Sequence, residues 1–232
     1  MSLLLGKGWV TTLVGVTGVN GGIGAALVQV LEEHGVTVAG FARNPLEGQY
    51  RLDVTWESGN IDFAMRAALG GEGQYEAWIN LAGADILSKG VRSLSYMTRL
   101  DMLWRTDVEG TVKCSRAVVP YLCPGGLIVN MAWDEAVTGA KGESAELYGT
   151  AKSAVLGFSA SLARSLAPHR RVCVVSPGWV RTRWADSLSL EQRERLVKGS
   201  AGRRWISART VANAVYDLLH SPGQTGQVIT VR

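Results

Sequence analysis

The stretch Thr12-Leu13-Val14-Gly15-Val16-Thr17-Gly18-Val19-Asn20-Gly21-Gly22-Ile23-Gly24 decides the fold. Its first six residues are β-rich and apolar, as in a strand covered on both faces. Glycines at 18, 22 and 24 then let the backbone turn sharply, approach a pyrophosphate and draw the next helix close to the sheet. From Ile23 to His34 the pattern is helical, so the turn opens a helix whose first amides face an anion. A glycine-rich string alone is a weak sign, and an ordinary βα turn is the plain alternative. A strand before it, an apolar helix after it and a position near the start of the chain make it a dinucleotide fingerprint.

The next strand, Val36–Phe41, bears on which dinucleotide. An NAD site usually ends this strand with an Asp or Glu that binds the ribose 2′-hydroxyl. Here it runs out as Gly40-Phe41-Ala42-Arg43-Asn44, with no carboxylate and a guanidinium available. Arg43 can pair with a 2′-phosphate through two hydrogen bonds, where a carboxylate would repel it. The reading is NADP(H) in preference to NAD(H). A solvated arginine on a turn is the alternative.

Outward from this unit, short apolar runs alternate with helical patterns to the end of the chain. Strands are expected at Thr12–Thr17, Val36–Phe41, Tyr50–Val54, Ala77–Asn80, Leu127–Met131, Val172–Ser176 and Gln227–Val231. Helices are expected at Ile23–His34, Ile61–Leu69, Met97–Leu122, Tyr148–Leu166 and Thr210–Leu219. The pattern specifies an α/β, Rossmann-type, doubly wound and mostly parallel seven-stranded sheet with helices on both faces. Residues 1–232 read as one domain, without a linker or repeat. The Arg- and Ser-rich segment 182–207, with a polar helix at Leu188–Lys198, breaks the rhythm. It is either a cover over the ligand or a solvated insertion.

Composition removes other classes of function. The 232 residues carry 24 Lys+Arg against 20 Asp+Glu, a net charge of +4 with no basic block, which argues against nucleic acid. No apolar run is long enough to span a membrane, and Met1–Gly8 does not read as a signal peptide. Cys114, Cys123 and Cys173 show no metal-ligand spacing, so no metal is expected, and reduced thiols in the cytoplasm are the simple reading.

With these motifs in view, the whole chain resembles the short-chain dehydrogenase/reductase family. Thr17 to Gly24 reads as TGxxxGxG, with Gly18, Asn20, Gly22, Ile23 and Gly24 on the cofactor side. Asp53-Val54 resembles the adenine-contacting pair, and Asn80-Leu81-Ala82-Gly83 the NNAG motif with its second Asn replaced. Pro177-Gly178-Trp179-Val180-Arg181-Thr182 resembles the PG motif, whose Val and Thr positions face the nicotinamide carboxamide. Tyr148-Gly149-Thr150-Ala151-Lys152 matches YxxxK. Four residues apart on a helix, the two side chains share a face, and an ammonium beside a phenol is expected to lower its pKa. The resemblance implies that Tyr148 exchanges a proton with the substrate oxygen while Lys152 holds the nicotinamide ribose. It also implies a small carbonyl or alcohol substrate, and a homodimer or homotetramer through Met97–Leu122 and Tyr148–Leu166.

Two of the family's four catalytic positions depart. Where a serine is usual the run is Asn130-Met131-Ala132-Trp133, and thirteen residues before Tyr148 stands Glu135. The family's Asn aligns with Asp107. Thr138, Ser144, Asp134 or Glu135 are candidate replacement donors, and Trp133 fills the substrate site or merely packs. Three functions remain open: an NADP(H)-dependent carbonyl reductase or alcohol dehydrogenase, a catalytically silent dinucleotide-binding relative acting as sensor, scaffold or oligomer partner, and an atypical lyase or epimerase.

Overall fold

The computed structural model describes residues 12–71, 73–221 and 223–232, so the reading of Met1–Gly8 lies outside the described residues. Its strands are β1 (Thr12–Thr17), β2 (Val38–Ala42), β3 (Tyr50–Arg51), β4 (Gln74–Asn80), β5 (Leu122–Met131), β6 (Arg171–Pro177), β7 (Val180–Arg181), β8 (Ile206–Ser207) and β9 (Val228–Val231). Seven of them form one parallel sheet in the order β3-β2-β1-β4-β5-β6-β9, while β7 and β8 pair separately. The strand order reverses between β1 and β4, which is where open α/β sheets leave a crevice for ligands.

Period-two alternation along each strand divides the core in two. Val14, Val16, Ala77, Ile79, Leu127, Val129, Cys173 and Val175 face one side, packed with α1 (Gly22–Glu33) and α9 (Ala208–His220). Phe41, Trp78, Ile128 and Val172 face the other, packed with α2 (Ser58–Leu69), α5 (Gly110–Val118) and α6 (Glu143–Leu166). Both faces are covered, hence the unbroken apolar runs in the sequence. Phe158 and Leu166 of α6 are partly buried against this second cluster. Met97 and Trp104 are exposed instead, at 66% and 42%.

Some boundaries differ from the sequence reading. The single helix expected at Met97–Leu122 is α4 (Tyr96–Leu103), a π-helical turn (Trp104–Glu109), α5 and a short 3-10 turn (Val119–Tyr121). The π turn inserts a residue into the helical ladder, and Pro120 withdraws a donor at its far end. The strand β5 begins at Leu122 rather than Leu127, because Leu122 pairs with Tyr75 ahead of a bulge. The helix α6 starts at Glu143, with Glu143 and Glu146 in its first turn favouring the helix dipole. The edge strand β3 stops at Arg51, its partners in β2 being only Phe41 and Ala42.

Candidate active site

The carboxyl ends of the strands carry the site. Gly18 follows β1 with φ of 71°, and a Cβ there would lie 2.8 Å from the Ala82 backbone. A Cβ on Gly24 would lie 2.2 Å from the Gly18 carbonyl oxygen. No side chain fits at either position, so backbone packs on backbone through the turn and at the α1 N-terminus. The buried Thr17 holds the neighbouring loop to it, its Oγ1 accepting from Leu81 N at 3.1 Å and Ala82 N at 3.2 Å.

Asn20 links this turn to the loop after β2. Its Nδ2 donates to Asn44 O at 2.9 Å, and its Oδ1 accepts from Gln49 Nε2 at 3.0 Å. That fixes the loop bearing Arg43, which is exposed and has no hydrogen-bond or ion-pair partner among the described residues. Asp53 folds back on Thr55, accepting from its N at 2.9 Å and its Oγ1 at 2.8 Å. Val54 is buried against the start of α5, where a Cβ on Gly110 would meet its Cγ2 at 2.6 Å.

Asn80 turns inward. It donates to Asn130 Oδ1 at 2.8 Å and Ser115 Oγ at 2.9 Å, and accepts from Trp78 Nε1 at 2.9 Å. Asn130 in turn donates to Ser159 Oγ at 2.9 Å. This buried network joins β4, β5, α5 and α6, leaving the backbone of residue 80 for any ligand. Among the described residues, Ala82 and Gly83 lie between the glycine turn and Asp107, whose Oδ2 is 3.3 Å from where a Gly83 Cβ would be.

Asp107 is the feature the sequence left open. The π turn directs it inward to 1% side-chain exposure, where Oδ2 meets Lys152 Nζ at 2.9 Å and Oδ1 accepts from Ala84 N at 2.8 Å. Lys152, at 6% exposure, also donates to Met131 O at 3.1 Å and lies 5.3 Å from the centre of the Tyr148 ring. The carboxylate pairs with the lysine directly. Burial works against the ammonium, but Asp107 and then Tyr148 outweigh it, so the lysine pKa stands above its ordinary value. The phenol departs from expectation. Burial pushes the Tyr148 pKa up, Lys152 opposes, and Asp107 pushes it further up. The net direction is upward, so the proton stays on the phenol near neutrality.

Two of the replacement donors named from sequence, Asp134 and Glu135, are otherwise engaged. Asp134 Oδ2 accepts from Arg232 Nε at 3.0 Å, and Glu135 Oε1 accepts from Ala201 N at 2.9 Å. Thr138 is exposed in the loop before α6, and Ser144 stands one turn before Tyr148 on the same helix. Trp133 is buried with its ring edge-on to Tyr148, centroids 5.7 Å apart at 68°. It packs against the tyrosine and does not offer it a donor.

Segment 182–207 packs on the glycine turn through Thr182, whose Cγ2 is 2.9 Å from where a Gly22 Cβ would be. It follows Pro177, Gly178 and Val180 and begins at Thr182, with Gly178 N donating to Val231 O at 2.9 Å and Val180 paired with Ile206. Glu135 tethers this segment at Ala201. Trp184 Nε1 donates at 3.3 Å to the carbonyl of Leu87, which shares an apolar cluster with Tyr148. Trp179, Trp184 and Trp205 cluster with centroids 5.5–6.4 Å apart, Trp179 stacked on Trp184 and Trp205 tilted against both. No helix among the described residues is long and apolar enough to cross a membrane.

Comparison with known proteins bears on the family and the fold. The enoyl-(acyl carrier protein) reductase family model matches residues 18–232. A 3-oxoacyl-(acyl-carrier-protein) reductase of Rattus norvegicus is 31% identical over 224 residues, covering 90% of this chain and 92% of its own. Among solved structures, a short-chain dehydrogenase/reductase from Serratia marcescens superposes with a TM-score of 0.83 at 23% identity, covering 96% of each chain. ElxO with NADP bound gives 0.81 at 20% identity, over 95% of this chain and 96% of that one. At those identities the two structures speak for the fold.

Proposed function

Because the chain belongs to the short-chain dehydrogenase/reductase family, we propose that it is an NADP(H)-dependent oxidoreductase acting on a carbonyl or alcohol substrate, with Tyr148 as proton donor or acceptor. The observation that carries this reading is the Tyr148–Lys152 pair on the same sheet edge as a glycine cradle that no side chain can fill. That cradle fits the pyrophosphate of a dinucleotide, and Arg43, exposed beside it, supports the 2′-phosphate form. Residues Gly18, Asn20, Gly22, Ile23, Gly24, Asp53, Val54, Asn80, Ala82, Gly83, Pro177, Gly178, Val180 and Thr182 line the proposed dinucleotide path. When bound, the nicotinamide supplies hydride to the carbonyl carbon, or receives it from the alcohol.

The remaining chemistry belongs to the chain. The raised pKa keeps the Tyr148 phenol protonated near neutrality, which suits donation to the oxygen as the carbonyl becomes an alkoxide. Lys152, held charged by Asp107, stabilises the phenolate left behind. Without the usual serine the substrate oxygen loses one hydrogen-bond donor, which costs about 10²–10³ in rate. Trp133 and the cluster of Trp179, Trp184 and Trp205 support an aromatic or extended apolar substrate. Exposed Met97 and Trp104 support a homodimer or homotetramer, and the free thiols of Cys114, Cys123 and Cys173 support a cytoplasmic setting.

The Asp107–Lys152 ion pair favours a second reading, a dinucleotide-binding relative without turnover, because it ties up the ammonium that would otherwise serve the phenol. Purified protein with NADPH and a panel of ketones, aldehydes and quinones separates the two. Turnover absent from Tyr148→Phe supports the oxidoreductase; dinucleotide binding with no turnover supports the silent relative.

A further inference from the structure

Among the described residues, segment 182–207 makes one long-range hydrogen bond to the glycine turn. Arg183, which opens the short helix α7 (Arg183–Asp186), donates from Nη2 to Asn20 O at 3.0 Å. The residue before it, Thr182, lies directly on the turn: its Cγ2 is 2.9 Å from where a Gly22 Cβ would be. Arg183 is exposed, and among the described residues it pairs with no carboxylate, although Arg181 and Arg193 nearby both reach Asp186. Its charge is therefore uncompensated and held over the first turn of α1, where backbone amides already favour an anion.

We infer that Arg183 is a cofactor-binding residue that clamps the dinucleotide pyrophosphate from the covering side; the inference rests on the dinucleotide reading of the glycine turn. A guanidinium has five N–H donors, so Arg183 can keep Asn20 O with one and give others to a phosphate oxygen. The turn's amides would then hold the pyrophosphate from the sheet side and Arg183 from the cover, securing the covering segment when cofactor is present. Asn20 also supports the Arg43 loop, so one residue joins the clamp to the 2′-phosphate side of the site.

The test is calorimetric titration of the full chain and of Arg183→Ala and Arg183→Lys with NADPH, NADH and adenosine 2′-monophosphate, which lacks the pyrophosphate. Removing a charge-assisted hydrogen bond to the pyrophosphate weakens both dinucleotides about tenfold to a hundredfold. That weakening is expected in Arg183→Ala, equal for NADPH and NADH, with the monophosphate unchanged and part of the affinity kept in Arg183→Lys. Unchanged dinucleotide affinity overturns the inference. So does a loss confined to NADPH, which assigns the arginine to the 2′-phosphate, or an equal loss for the monophosphate, which marks general damage to the turn. A wild-type chain that takes up neither dinucleotide overturns the underlying reading itself, and this inference with it.

Discussion

Replacing Asp107 with Asn tests how the altered site sets the state of its tyrosine. The substitution keeps the shape, and Oδ1 still accepts from Ala84 N, but the charge facing Lys152 Nζ at 2.9 Å is gone. That distance and the 5.3 Å from Nζ to the Tyr148 ring put the carboxylate within about 8 Å of the ring. At an effective dielectric constant of about 20, a unit charge at that range is worth about 2 kcal/mol. The Asp107 charge raises the phenol pKa, so its removal lowers it. NMR of protein labelled with ¹³C at tyrosine Cζ reads the ionisation, with Tyr148→Phe assigning the signal. Wild-type Tyr148 is expected to titrate above the ordinary tyrosine range, and Asp107→Asn to move that titration down. In the reducing direction the protonated phenol is the active form, so the rate holds through neutrality and falls as pH rises through the pKa. In Asp107→Asn that fall begins correspondingly earlier. An unchanged titration, or an upward shift, would refute the reasoning.

The other predictions concern charge at the two ends of the site. Arg43→Ala is expected to weaken NADPH about tenfold to a hundredfold while leaving NADH unchanged, read by titration of each; equal losses would remove Arg43 from the 2′-phosphate. Lys152→Met leaves Asp107 buried without its partner, at a cost of about 3–5 kcal/mol and a fall in melting temperature of roughly 10 °C by calorimetry. Adding Asp107→Asn to Lys152→Met is expected to restore part of that stability, since the stranded charge is removed; a further fall would show that the ion pair is not the source.

Much of the fold was legible because both faces of the sheet are covered. The apolar runs of β1, β4, β5 and β6 and the glycines of the first turn obey strict local rules, and the sheet follows from them. Boundaries set by tertiary pairing were not legible: β5 extends to Leu122 only because Tyr75 lies opposite it, and the π turn exists where Asp107 is drawn to Lys152. At the site, the Tyr148–Lys152 spacing implies a shared helix face but not the balance of burial against charge, so the tyrosine shift runs opposite to the direction the spacing suggests. Glu135 stands thirteen residues before Tyr148 along the chain, yet a turn carries its carboxylate to Ala201 instead. The Asn80–Asn130–Ser115–Ser159 network did leave a signal: asparagines at matching ends of adjacent apolar strands need buried partners.

The most direct measurement of the central claim is label transfer from NADPH deuterated at nicotinamide C4 to a ketone panel, comparing wild type with Tyr148→Phe by mass spectrometry of the products. Deuterium in an alcohol formed by the wild type, and none with the variant although it still binds NADPH, is the expected result. Tight NADPH binding by the wild type with no label in any product would contradict the account and make the chain a dinucleotide-binding protein without hydride chemistry.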